Sequence, residues 1–126
     1  MTKGPLAHNE HCMTRTFVEL PAFTRLVQEG RLADDELAEL QLDIMKRRGR
    51  IDRVPGVPGL QKMRWRNPRR RRGARGGYRV FFVDFPEFET VILIYLMDKA
   101  EQDDLSPEQR RQFTEVIRQL PEELAR

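Results

Sequence analysis

The sequence predicts an α+β fold: a small antiparallel sheet with two N-terminal helices packed on one face and a further helix at the C-terminus. Three observations carry this. The first half holds two stretches with apolar residues at helical spacing. The middle holds three runs of strand character separated by turn residues. The last twenty-one residues open on a helix-start signature. With 126 residues and no internal break, one domain is expected, residues 16–126, preceded by a polar tail, residues 1–15.

Taken in order, residues 16–20 (TFVEL) are β-branched and aromatic and read as a first strand. Pro21 suits the first turn of a helix, Phe23, Leu26 and Val27 recur at i, i+3, i+4, and Gly30 marks a stop. Asp34 or Asp35 caps a second helix with Leu37, Leu40 and Ile44 on one face. Lys46, Arg47 and Arg48 fall in its last turn, where cations complement the helix dipole, and Gly49 follows. Pro55, Gly56, Pro58 and Gly59 form a loop.

Residues 60–66 (LQKMRWR) alternate, which places Met63 and Trp65 on a buried face and Lys62, Arg64 and Arg66 on an exposed basic one. Residues 67–77 form a long turn. Residues 78–85 are apolar on both faces and residues 91–97 apolar throughout, the pattern of central strands covered on both sides. Ser106, Pro107 and Gln109 supply an N-cap, an N1 proline and a capping box. Phe113, Val116, Ile117 and Leu120 are the stripe of the last helix, which Pro121 is expected to end. The basic side chains should gather on the sheet face away from the helices.

Composition excludes several classes. The longest apolar run has seven residues, too short to cross a bilayer, and the first residues lack the apolar core of a secretion signal. A single cysteine, Cys12, leaves no internal disulfide, so a cytoplasmic protein without membrane association is expected. His8, His11 and Cys12 offer three metal-ligand side chains in a polar tail with no fourth evident, so no metal is expected.

The net charge of +3 conceals a polarised chain. Residues 46–79 hold fourteen basic side chains and one acid, Asp52; the rest holds nine basic residues and nineteen acids. A block of that kind points to a polyanion, most often nucleic acid.

The segment GLQKMRW, an Arg-rich turn, RGGYRVFFVDF, VILIY and DKAEQDDLSPEQRRQ, in that order, resembles RelE/HigB-type toxins of bacterial type II toxin–antitoxin systems. The VPGVPGL loop and the opening FVELPAF fit the same group. The resemblance spans roughly residues 16–120, and Gly76 to Val80 is its most specific part. It implies a RelE-like fold and a toxin that cleaves mRNA in the ribosomal A site, held inactive by a cognate antitoxin protein. It implies no metal and no small-molecule cofactor.

RNA cleavage without a metal needs a base for the 2′-hydroxyl, cations for the phosphorane and an acid for the leaving 5′ oxygen. The two histidines lie in the tail, so lysine, arginine and tyrosine must carry the site. Arg79 matches the family arginine that contacts the scissile phosphate, and its fork suits that role. Lys62 and Arg64 share one strand face about 7 Å apart, with Lys62 the candidate base. Lys99 matches the family lysine after the last strand. Arg66, Arg69, Arg70, Arg71, Arg72 and Arg75 are expected to hold phosphates without reading sequence. Trp65 and Tyr95 are better read as core residues than as a base-stacking platform and a phenol of the site. Ala100 and Ser106 stand where many relatives carry an arginine and a tyrosine. Two alternatives therefore stay open: a non-catalytic RNA- or ribosome-binding regulator, and a toxin of the same fold acting on another target such as DNA gyrase.

Overall fold

The computed structural model describes residues 15–30, 32–65, 77–98 and 101–126. Its elements are β1 (Thr16–Glu19), α1 (Pro21–Gly30), α2 (Asp34–Lys46), β2 (Asp52–Arg53), β3 (Gln61–Trp65), β4 (Tyr78–Phe85), β5 (Thr90–Asp98) and α3 (Pro107–Leu124), with a 3-10 turn at Pro86–Phe88 between β4 and β5. The five strands form one sheet in the order β1-β5-β4-β3-β2. The α+β class stands as expected.

The sheet is mixed rather than wholly antiparallel. β2 to β5 pair antiparallel, while β1 adds to the outer edge of β5 in parallel. Thr16 N–H donates to Glu89 O (2.8 Å) and Leu20 N–H to Leu93 O (3.0 Å), which fixes β1 over the first half of β5. Arg15, assigned to the tail by the sequence reading, is bonded to Asp84 of β4 at 2.9 Å.

Pleating sends alternate residues to two cores. On one face α1 and α2 lay Phe23, Val27, Leu40 and Ile44 over Met63, Trp65, Val80, Phe82 and Leu93. Phe23 and Leu40 are wholly buried, each worth about 1.5–3 kcal/mol of apolar transfer. On the other face α3 lays Ile117 and Leu120 over Phe81, Val83, Ile92 and Ile94. A register shift at Phe81/Phe82 lets successive Ile94 and Tyr95 both belong to the α3 side. The early helices do share one face, but α3 covers part of the other, so the basic face is only partly free of helices. β4 and β5 are apolar on both sides because both sides are covered.

Two helix ends differ from expectation. Ala33, not Asp34 or Asp35, occupies the cap position of α2, and the Glu36 carboxylate accepts from Ala33 N–H at 2.8 Å. Asp34 and Asp35 sit instead in the first helical turn, where their charge faces the positive end of the dipole. Pro121 lies inside α3 rather than ending it. Its ring-fixed φ is helical, so the loss is one hydrogen bond, and Ala125 N–H bonds Pro121 O at 3.0 Å in the final turn. The predicted cap of α3 is present in full: Ser106 Oγ accepts from Gln109 N–H (3.1 Å), and Gln109 Oε1 accepts from Ser106 N–H (2.9 Å).

Candidate functional site: a cationic cavity on the sheet

The site starts with the loop VPGVPGL. Val57 N–H donates to Val54 O and Leu60 N–H to Val57 O, so the loop is two consecutive β-turns. Each has proline at its second position and, at its third, a glycine with positive φ, Gly56 at +84° and Gly59 at +87°. Val54, Val57 and Leu60 are buried on the α3 side, and Arg110 Nη1 of α3 donates to Pro55 O at 2.8 Å. Val54 N–H also donates to Leu60 O (2.9 Å), closing the ladder between β2 and β3. The loop is therefore a rigid hairpin connection, and it sets Asp52 directly opposite Lys62.

The next pairing places the remaining side chains. In the β3–β4 register Lys62 faces Phe81, Arg64 faces Arg79, and Trp65 faces Tyr78. Met63 and Trp65 are buried against α1 and α2, so Lys62, Arg64 and Arg79 lie on the opposite face, as the alternation required. Arg64 is exposed; Lys62, flanked by β2 as well as β4, is half-buried rather than exposed. Trp65 stacks on Tyr78 with ring centroids 6.1 Å apart.

The turn after α2 supplies two further cations. Gly49 takes φ +88°, reversing the chain so that Arg47 and Arg50 return toward β3. Arg47 Nη1 donates to Arg64 O (3.3 Å) and Arg50 Nη2 to Lys46 O (3.4 Å). Arg47, Arg50, Lys62, Arg64 and Arg79, with Ile51, Asp52 and Met63, line an open cavity of about 530 Å³. Sequence reasoning took Arg47 for a helix-end cation and did not select Arg50 or Asp52. The signal for the first two was the Gly49 stop just before the basic strand.

The lining is predominantly cationic, five basic side chains against Asp52. Among the described residues Lys62, Arg64 and Arg79 form no ion pair. Arg79 Nε is buried with no hydrogen-bond acceptor among the described residues. Arg64 and Arg79 are like charges directly opposite one another, an arrangement that costs about 0.2–1 kcal/mol. The field of such a cluster attracts anions and repels cations.

Lys99, Arg66, Arg69, Arg70, Arg71, Arg72 and Arg75 lie outside the described residues, as do Ala100, His8, His11 and Cys12. Tyr95 sits away from the cavity: Gln109 Nε2 donates to its hydroxyl at 3.1 Å, and its ring lies 5.5 Å from Phe113. Ser106 serves as the cap of α3. Among the described residues no helix is long and apolar enough to cross a membrane.

Fold and cavity together define a small α+β protein with a basic recess on its sheet. No family model and no curated protein matches the chain. Solved structures similar to it include two of the E. coli toxin RelE. One is the isolated toxin RelE of E. coli, at 14% identity, covering 82% of this chain and 96% of that one, with a TM-score of 0.46. The other is a double arginine-to-alanine mutant of the E. coli toxin RelE in the free state, at 16% identity, 69% and 85% coverage, and a TM-score of 0.45. Both are likenesses in fold outline.

Proposed function

We propose that the chain is the toxin of a toxin–antitoxin pair and acts as a metal-independent endoribonuclease on mRNA in the ribosome. The single observation that carries this reading is the cavity itself. Five cations converge on it; the resemblance matches Arg79 to the family arginine of the scissile phosphate, and the alternation of β3 brings Lys62 and Arg64 to the same face. Arg79 holds a non-bridging phosphate oxygen pair and takes up the charge of the phosphorane. Arg64, directly across from it, shares that task. Lys62 supplies proton transfer at the reacting atoms, Lys99 adds a further cation, and Arg47 and Arg50 hold flanking phosphates. An antitoxin with an acidic segment would neutralise this face, folding onto it as it binds.

A second reading, a non-catalytic ribosome- or RNA-binding regulator, draws support from Ser106, which is spent on capping α3 where many relatives carry a phenol. The test is single-turnover incubation with programmed ribosomes followed by mapping of mRNA 5′ ends. Site-confined cleavage supports the ribonuclease; tight binding to ribosomes with intact mRNA supports the regulator.

A further inference from the structure

We propose that Asp52 is a catalytic carboxylate of the cavity, taking the 2′-hydroxyl proton of the RNA while Lys62, directly opposite it, protonates the departing 5′ oxygen. The inference rests on the ribonuclease reading and moves the base role, expected of Lys62 from the sequence, to Asp52, leaving Lys62 as the acid.

Four observations support it. Asp52 is the only acid among the described residues lining the cavity, and the only acid in residues 46–79 of the sequence. It faces Lys62 across the β2–β3 pair, where side chains directly opposite stand with Cβ atoms about 4.5–5.5 Å apart. Its position is fixed by the two Pro-Gly turns, which are held in turn by α3 through Arg110. Finally, neither Asp52 nor Lys62 forms an ion pair among the described residues, although cations surround the one and Asp52 faces the other. Both groups are left available to a ligand.

Chemistry explains why a carboxylate belongs there. Arginine stays protonated in proteins and never accepts a proton. A charged lysine donates but cannot accept. A cavity of five cations alone therefore has donors and no acceptor, and the histidines lie outside the described residues. A carboxylate facing an RNA backbone repels phosphate and weakens binding, so its presence in this recess fits a chemical task better than an affinity task. The step balances without a cofactor. The 2′ oxygen forms its bond to phosphorus as its proton passes to an Asp52 oxygen. The phosphorus–O5′ bond breaks, and O5′ takes a proton from Lys62 Nζ. The products are a 2′,3′-cyclic phosphate and a 5′-hydroxyl. The resulting neutral carboxylic acid and neutral amine sit across one strand pair, and passing the proton from Asp52 to Lys62 restores both.

The test compares the parent with Asp52→Asn, Asp52→Glu and Lys62→Ala in single-turnover cleavage on programmed ribosomes, with binding measured separately. Asp52→Asn should cut the cleavage rate by about 10²-fold or more, the scale of one general acid–base group, while binding stays equal or tightens. Asp52→Glu should recover part of the rate. With mRNA carrying a sulfur in place of the scissile 5′ oxygen, a leaving group that needs no acid, Lys62→Ala should be rescued and Asp52→Asn should not. Asp52→Asn cleaving within about threefold of the parent overturns the inference, as does a loss of cleavage matched by lost binding or lost circular dichroism. A parent that leaves mRNA intact overturns instead the ribonuclease reading beneath it.

Discussion

Arg79 offers a test in which activity and stability should part company. Replacing it with Ala removes a buried Nε that has no acceptor among the described residues, a burden of up to about 1–3 kcal/mol in the folded state. It also removes the repulsion from Arg64 directly opposite, about 0.2–1 kcal/mol. Against this stands the lost stem, at about 0.8 kcal/mol per buried methylene on a residue that is only half-buried. With two methylenes lost from a half-buried stem, these contributions leave Arg79→Ala between near neutral and about 3 kcal/mol more stable than the parent. Activity should move the other way, by roughly 10²-fold or more, the effect of deleting one donor that meets transition-state charge. Arg79→Lys should recover little, because lysine keeps the charge without the two-pronged fork. Urea unfolding followed by circular dichroism gives the first quantity and single-turnover cleavage of mRNA on programmed ribosomes the second. A variant destabilised by more than about 1.5 kcal/mol would show that Arg79 holds the fold together. A folded variant that cleaves at the parental rate would remove it from the reaction. Either result refutes the reasoning.

Further expectations follow from the same geometry. Ser106→Ala deletes the side-chain cap of α3 and should cost about 1 kcal/mol by thermal unfolding, whereas Ser106→Asp should cost little. Phe23→Ala empties a wholly buried site between α1 and the sheet and should cost about 3–5 kcal/mol in urea unfolding. Replacing Arg47 and Arg50 together with Ser should lower the log–log salt slope of RNA binding by about 1.4, the value for two phosphate contacts to a single strand, and an unchanged slope would place them off the RNA path.

Much of this architecture was legible because it depends on short-range patterning. The alternation in QKMRW told the buried face of β3 from the basic one, since period-two burial has no other solution. The capping box of α3 was visible because Ser106 and Gln109 act within one helical turn. What escaped depends on partners remote in the chain. β2 is two polar residues, Asp52 and Arg53, and becomes a strand only because the Pro-Gly turns fold β3 back beside it. The parallel setting of β1 is decided by β5, and nothing in TFVE states a direction. Arg47 looked like a cation placed for a helix dipole, which it also is. Its second use is apparent only once Gly49 turns the chain. The opposite placement of α3 could have been drawn from the two-sided apolar character of β4 and β5, which demands cover on both faces.

The parallel pairing of β1 has a consequence in time. Thr16 lies 74 residues ahead of its partner Thr90, whereas β4 and β5 meet across a turn of a few residues. Ribosomes add about 5–20 residues per second, so a newly made β1 waits roughly 4–15 s before its docking edge exists. During that interval Phe17 and Val18 have no sheet to lie against, while β3, β4 and β5 can pair as soon as each emerges. Long-range closure is the slow event in sheets of this kind. The last act of folding should therefore be the attachment of the first strand, and the cationic cavity, built between β2 and β4, should be in place before the molecule has closed.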